Sequence, residues 1–248
     1  MENEENIRQA ARRIAGASRI TMITGAGVSA ASGVPTFRDA DGLWKSYSPG
    51  DLATPEAFRR NPALVWEWYD WRRGIIARCS PNQAHHVIAE WSRRIPGFSL
   101  ITQNVDGLHE KAGARNVIRF HGSIWEVFCV DRCAASPPRW RDETVPFPLL
   151  PPTCPYCGGL IRPGVVWFGE GLDAGVLQKT DAVLECDVFL TVGTSALVYP
   201  AAGLVMQAAA IGAYTIEINL ESTPSSSSVD LAIKGPAEII LPQINDTM

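Results

Sequence analysis

The chain has 248 residues, of which 46% are hydrophobic and 19% charged, and a net charge of −4. It is long enough to bury a full core and too apolar for wholesale disorder, so a small stapled scaffold is excluded. No basic excess is available to neutralise phosphates, and nucleic acid is not expected as a partner. The first residues, Met1 to Asn6, are acidic and lead into Arg8, Arg12 and Arg13 on a helical pattern, with no apolar leader core. A reducing, cytoplasmic location is expected, where cysteines read as metal ligands before disulfides.

Short β-branched runs recur at 19–24, 98–103, 117–120, 187–192, 214–218 and 238–241, with helical patterns such as 84–94 and 200–211 between them. Continuous apolar runs suit parallel strands buried on both faces, and alternation with helices predicts an α/β fold, a Rossmann-like doubly wound sheet. The most apolar stretch, 196–213, is interrupted by Pro200, Gly203, Gln207 and Gly212. It reads as a buried helix, and no membrane partner is expected. Two segments break the alternation. Residues 41–79 carry helical patterns with Trp66, Trp68 and Trp71 close together, and 126–164 hold four cysteines, with seven of the 18 prolines between Pro137 and Pro155. The expected organisation is a discontinuous Rossmann-like domain (1–40, 80–125 and 165–248) with a helical module (41–79) and a cysteine module (126–164) inserted as a smaller lobe.

The first strand runs into Gly25-Ala26-Gly27-Val28-Ser29. The G-x-G-x-x-A spacing ending at Ala30 allows a tight turn, close approach to a pyrophosphate and a helix start aimed at its charge, although a ligand-free glycine turn has the same look. A dehydrogenase would place an acid about 20 residues further on. None sits there, because Pro35 to Asp39 and a helical insertion follow the turn instead, which disfavours an ordinary dehydrogenase.

Ligands in such sheets sit beyond the carboxyl ends of the strands. Those ends carry Gln103 to Asp106, His121 to Ser123, Gly193 to Ser195 and Asn219 to Glu221. Each residue alone would pass for a cap or turn residue; their convergence on one rim points to a site. His121 is the candidate general base, since imidazole titrates near neutrality.

Cys129-x3-Cys133 and Cys154-x2-Cys157 are two short pairs, the second followed by Gly158-Gly159. Two such pairs complete a closed, structural zinc shell, one per chain. Cys79 and Cys186 have no paired neighbour.

Taken together, Gly25 to Ser29, Gly33 to Asp39, Gln103-Asn-Val-Asp-Gly-Leu-His109, Phe120-His-Gly122, the cysteine pairs, Gly164-Val-Val-Trp-Phe-Gly-Glu170, Gly193-Thr-Ser195 and Asn219 resemble the sirtuins, NAD-dependent protein lysine deacylases, over about residues 8–241. The x3 spacing of the first cysteine pair departs from the commoner x2. The resemblance implies that Gly25, Ala26, Gly27 and Ser29 take the pyrophosphate and that Phe37, Arg38 and Trp44 border the nicotinamide side. It implies that Gln103, Asn104, Val105 and Asp106 hold ribose and nicotinamide, and that Gly193, Thr194, Ser195, Asn219, Leu220, Glu221 and Ala237 line the adenosine side. His121, Asn104 and Asp106 would form the catalytic group. NAD would be consumed: the acyl oxygen attacks C1′ as nicotinamide leaves, His121 acts as base on the ribose hydroxyl, and 2′-O-acyl-ADP-ribose and free lysine result. Val166, Phe168, Gly169 and Glu170 would bind an acyl-lysine protein or peptide, with Val165 to Phe168 as a strand that pairs with its backbone.

On the helix over 62–76, Val65, Tyr69, Arg72 and Ile76 share a stripe while Arg73 points elsewhere. A snorkelling arginine is the ordinary account of Arg72. Tyr69 and Arg72 also match the pair with which class III sirtuins bind a carboxylate at the acyl terminus, and Ala53 matches the small residue that widens their pocket. Succinyl, malonyl or glutaryl removal, with acetyl as a poorer or parallel substrate, is the expectation. An NAD-dependent ADP-ribosyltransferase and a non-catalytic NAD- or zinc-binding module remain as alternatives.

Overall fold

The computed structural model describes residues 2–36, 47 and 49–248. Helix α1 (Glu2–Ala15) leads into β1 (Ile20–Thr24), and a short α2 (Gly27–Ala30) follows the glycine turn. Helices α3 (Pro49–Leu52), α4 (Pro55–Arg60), α5 (Pro62–Arg78) and α6 (Gln83–Arg94) precede β2 (Phe98–Thr102). After α7 (Leu108–Lys111) come β3 (Val117–Arg119), β4 (Gly122–Cys129), β5 (Trp140–Arg141) and β6 (Ile161–Val165). The chain closes with α8 (Ala174–Leu184), β7 (Val188–Val192), α9 (Leu204–Ile211), β8 (Tyr214–Asn219), β9 (Leu231–Lys234) and α10 (Ala237–Thr247).

Local chemistry marks the helix starts. The Thr54 hydroxyl accepts the Ala57 amide at 3.1 Å, the Asn61 side chain accepts the Leu64 amide at 3.1 Å, and Pro55 and Pro62 open α4 and α5. At α6 the Asn82 side chain accepts the Ala84 amide at 3.0 Å, while His85 Nδ1 accepts the Asn82 amide at 3.2 Å.

Six parallel strands form one sheet in the order β3-β2-β1-β7-β8-β9, and β5-β4-β6 form a separate antiparallel sheet. Side chains alternate across the large sheet. Met22, Leu100 and Leu190 pack with Ile14, Trp91 and Ile240 from α1, α6 and α10. Ile23, Ile101 and Phe189 face the other way, onto Leu204, Val205 and Ala208 of α9. A third cluster joins α3 to α5 with β4 and β6 through Trp66, Tyr69, Ile124 and Ile161. The strand order reverses between β1 and β7, which places a ligand crevice at their carboxyl ends.

Two sequence expectations change. Residues 238–241 are not a strand: they lie in α10, where Ile240, Leu241 and Ile244 are buried at helical spacing, and the sixth strand is β9. Three apolar residues in a row, Ile239 to Leu241, fit either period, and Pro236 at the helix start decides it. The expected strand 165–168 stops at Val165. Beyond it the Val166 amide donates to the His121 carbonyl at 3.0 Å and the Phe168 amide to the Ala53 carbonyl at 2.9 Å. The second of these bonds joins this segment to the helical module at Ala53.

Candidate functional site

The crevice at the switch point is built from glycines in van der Waals contact. The Gly27 amide donates to the Gly193 carbonyl at 2.8 Å, and the Gly25 amide to the Val192 carbonyl at 3.0 Å. A Cβ on Gly25 would stand 2.7 Å from the Thr194 Cα, and one on Gly193, where φ is +60°, would stand 2.6 Å from the Val28 nitrogen. The glycines are thus required by the approach of two strand ends as well as by any ligand.

The rim residues converge as the sequence suggested. Gln103 Nε2 donates to the Thr194 hydroxyl at 2.8 Å, and Asn219 Nδ2 to the Thr194 carbonyl at 2.7 Å. Asn104 Nδ2 donates to the Gly25 carbonyl at 3.0 Å and to Ser29 Oγ at 3.2 Å, and Ser29 Oγ in turn donates to Asp106 at 2.8 Å. Asp106 is buried and also accepts the Leu108 amide at 2.8 Å. Burial pushes its carboxyl up, against the pull of those two hydrogen bonds. His121 is half-buried, with Nδ1 3.3 Å from the Gln103 carbonyl. Burial lowers its pKa while the carbonyl opposes the shift, so the ring is neutral at pH 7. With a proton on Nδ1 for that carbonyl, Nε2 keeps a lone pair for base chemistry.

Sequence reasoning singled out one imidazole and missed two more. His85 and His109 are buried, their rings 5.0 Å apart, with His85 Nε2 3.3 Å from Ser29 Oγ and His109 Nε2 2.9 Å from Thr24 Oγ1. Burial lowers His85 to about 3 and His109 to about 4. His109 lies inside the Gln103 to His109 motif, and only the shared partner Ser29 reveals His85.

On α5 the predicted stripe of Val65, Tyr69, Arg72 and Ile76 is buried. Arg72 is 8% exposed and does not snorkel; its guanidinium lies 5.2 Å from the Trp68 ring centroid. Burial lowers the Arg72 pKa, and the Tyr69 phenol and Asp106 carboxylate oppose the shift. Arginine stays charged there. Tyr69 Oη accepts the Trp167 indole N–H at 2.8 Å. Arg73 does point elsewhere, and it is also buried: it bonds the Asp142 carbonyl, pairs with Asp142 Oδ1 at 3.1 Å and lies 4.9 Å from the Phe147 ring. With Asp70 accepting the Phe147 amide at 2.9 Å and the Trp66 indole donating to the Ile161 carbonyl at 2.8 Å, α5 is fastened to the cysteine-bearing lobe on that second face.

Ala53 is buried beside Phe168, whose amide it accepts, and Phe168 itself is 49% exposed. Gly169 has φ +85° and open space around it. The Glu170 carboxylate takes Arg162 at 2.6 and 2.9 Å and the Trp167 amide at 2.9 Å, so it braces this segment from within. Of the residues expected on the adenosine side, Leu220 is 68% exposed, Ser195 is half-buried and Ala237 is buried at the start of α10. Glu221 is exposed, and Val105 is half-buried, its carbonyl accepting the Ile124 amide at 2.9 Å. Ala26 precedes α2. Phe37, Arg38 and Trp44 lie outside the described residues.

The four cysteine sulfurs all lie within 4.8 Å of one another, with Cys129 and Cys157 3.6 Å apart and Cys133 and Cys154 3.9 Å apart. Tetrahedral zinc with Zn–S near 2.3 Å requires sulfurs about 3.8 Å apart. The donor set fits zinc, and four thiolates leave no position open for a reacting water.

A doubly wound sheet with glycine turns at its switch point and amides and an imidazole on its rim defines an α/β enzyme of the dinucleotide-using class. The Sir2 family model matches residues 25–200. A protein of Aquifex aeolicus called NAD-dependent protein deacylase is 50% identical over 228 residues, 92% of this chain and 94% of its own length. NAD-dependent protein deacylase 1 of Pseudomonas aeruginosa is 47% identical over 93% of this chain and 94% of its own length. Among solved structures, a Sir2 homolog–NAD complex has a TM-score of 0.89 at 43% identity, covering 96% of this chain and 93% of that one. A mutant Sir2 homologue with 2′-O-acetyl ADP ribose has a TM-score of 0.88 at 43% identity, covering 96% of this chain and 95% of that one. The chain belongs to the Sir2 family.

Proposed function

We propose that this Sir2-family enzyme, an NAD-dependent protein deacylase, removes acyl groups that end in a carboxylate, succinyl, malonyl or glutaryl, from lysine side chains. The observation that carries the reading is Arg72: a cation 8% exposed on an apolar helix face, beside the buried Tyr69 phenol, which packs in one cluster with Ala53. An arginine in a low-dielectric site with a phenol at its side suits a terminal carboxylate and offers an acetyl group little. Each charge-assisted hydrogen bond is worth about 1.5–3 kcal/mol, roughly ten- to hundredfold in kcat/KM.

The rest of the site has matching roles. NAD supplies the ribose carbon that takes the acyl oxygen as nicotinamide departs. Asn104, Ser29 and Asp106 hold the nicotinamide ribose side, Gln103, Thr194 and Asn219 set the crevice between the two halves of the sheet, and Gly25 to Gly27 leave room for the pyrophosphate. Ser195, Leu220, Glu221 and Ala237 flank the adenosine, with Phe37, Arg38 and Trp44 on the nicotinamide border. His121 Nε2 takes the proton of the ribose hydroxyl. Val166, Phe168 and Gly169 line the path of the substrate backbone, and Cys129, Cys133, Cys154 and Cys157 hold a structural zinc.

Kinetics of Arg72→Met on succinyl- and acetyl-lysine peptides test the reading. The expected outcome is a loss on the succinyl peptide at least tenfold larger than on the acetyl peptide. Equal losses on both would overturn it. Intact-mass analysis of the peptide separates deacylation from ADP-ribosyl transfer, which would add mass instead of removing the acyl group.

A further inference from the structure

Tyr69 is held by a chain of contacts that runs through Trp167, Arg162 and Glu170. The Trp167 indole N–H donates to Tyr69 Oη at 2.8 Å. Trp167 is itself immobilised: the Arg162 guanidinium carbon stands 3.4 Å above its ring centroid, Phe58 lies 5.2 Å away, and its amide is bonded to Glu170. Arg162 is fixed in turn by the bidentate Glu170 carboxylate and by the Val165 carbonyl at 3.1 Å.

A phenol has one hydrogen to give, and indole N–H can only donate. Because Trp167 takes an acceptor lone pair of Tyr69 Oη, the phenol hydrogen cannot point at Trp167, and it has no acceptor among the described residues. A buried donor without an acceptor is costly, and an incoming group that supplies one is favoured by that amount.

Resting on the acidic-acyl reading above, we propose that Trp167 is the specificity-positioning residue of this enzyme: by occupying the acceptor side of Tyr69 it commits the phenol to donate toward the acyl pocket, beside Arg72, and so selects an acceptor-only acyl terminus such as a carboxylate. Tyr69 stays a donor at every working pH, since burial drives its pKa upward. Trp167 does not touch the acyl group. It acts through Tyr69, and Glu170 and Arg162 act through Trp167.

The test is a double-mutant cycle read as the ratio of kcat/KM on succinyl- over acetyl-lysine peptides. Trp167→Phe keeps an aromatic ring under Arg162 and removes the N–H; the ratio should fall about fivefold or more. Tyr69→Phe should lower it at least as much, and the double variant should match Tyr69→Phe alone, because the indole has nothing left to orient. A Trp167→Phe ratio equal to wild type, or losses that multiply in the double variant, would overturn the role of Trp167 while leaving the acidic-acyl reading in place. A wild-type ratio that neither Tyr69→Phe nor Arg72→Met changes would overturn that reading itself. If Trp167→Phe does not fold, benzothienylalanine at 167 keeps the ring area and removes only the N–H, with the same expected fall and the same contrary result.

Discussion

His121 Nδ1 lies 3.3 Å from the carbonyl oxygen of Gln103, the residue that opens the ribose-side motif. This contact joins β2 to the turn before β4 and sets which ring nitrogen faces the crevice. With Nδ1 turned to the carbonyl, Nε2 is the nitrogen left for the proposed base role, and burial holds the ring's pKa below its ordinary value near 6.5. His121→Ala should abolish deacylation with zinc content unchanged. In wild type the acid limb of kcat/KM should fall only below pH 6.5, as the neutral base is lost. Deacylation by His121→Ala at wild-type rate would contradict the assignment.

His85 and His109 make stability depend on pH. Their folded-state values, about 3 and about 4, lie below the unfolded value near 6.5. Between these limits the unfolded chain binds more protons, so stability is fully present above pH 6.5 and declines as pH falls toward 4. The slope is up to about 1.4 kcal/mol per pH unit for each histidine. Urea midpoints at pH 7.5, 6.0 and 5.0 should fall stepwise; equal midpoints would mean that the imidazoles are not buried neutral.

Gly193 has φ +60° and a Cβ there would stand 2.6 Å from the Val28 nitrogen. Gly193→Ala should cost about 1–3 kcal/mol of stability and weaken NAD binding, as the two glycine turns part. Calorimetry and a thermal melt read both effects. Unchanged NAD affinity would mean that the close approach is not needed for the dinucleotide.

The cysteine cluster should hold one zinc per folded chain. Metal analysis of Cys154→Ser should show that zinc lost, whereas Cys186→Ser should retain it, because Cys186 is buried in the large-sheet core beside Leu184 and Phe189. α5 is fastened to this lobe through Trp66, Asp70 and Arg73. Chelation should therefore lower activity without any zinc at the reacting atoms, and activity that survives complete zinc removal would contradict this coupling.

Much of the site was legible because its residues sit in contiguous motifs at strand ends. The glycine turn, Gln103 to Asp106, His121 and the cysteine pairs all fall where spacing placed them. The Arg72 stripe was legible from helical period alone. The sixth strand was not, since Leu231–Lys234 is only four residues long and the more apolar run at 238–241 competed with it. Nor were Arg162 and Trp167 legible as partners of Tyr69: Trp167 is 98 positions away from it in the chain, and neither periodicity nor spacing reports a contact across that distance. The buried pairing of Arg73 with Asp142 was hidden for the same reason.

Nicotinamide release from wild-type enzyme on matched acyl-lysine peptides, compared with Arg72→Met, reads the acyl preference of the site. On wild type kcat/KM for the succinyl peptide should exceed that for the acetyl peptide, and Arg72→Met should reverse the order. An acetyl preference in wild type, unmoved by Arg72→Met, would contradict the acidic-acyl reading.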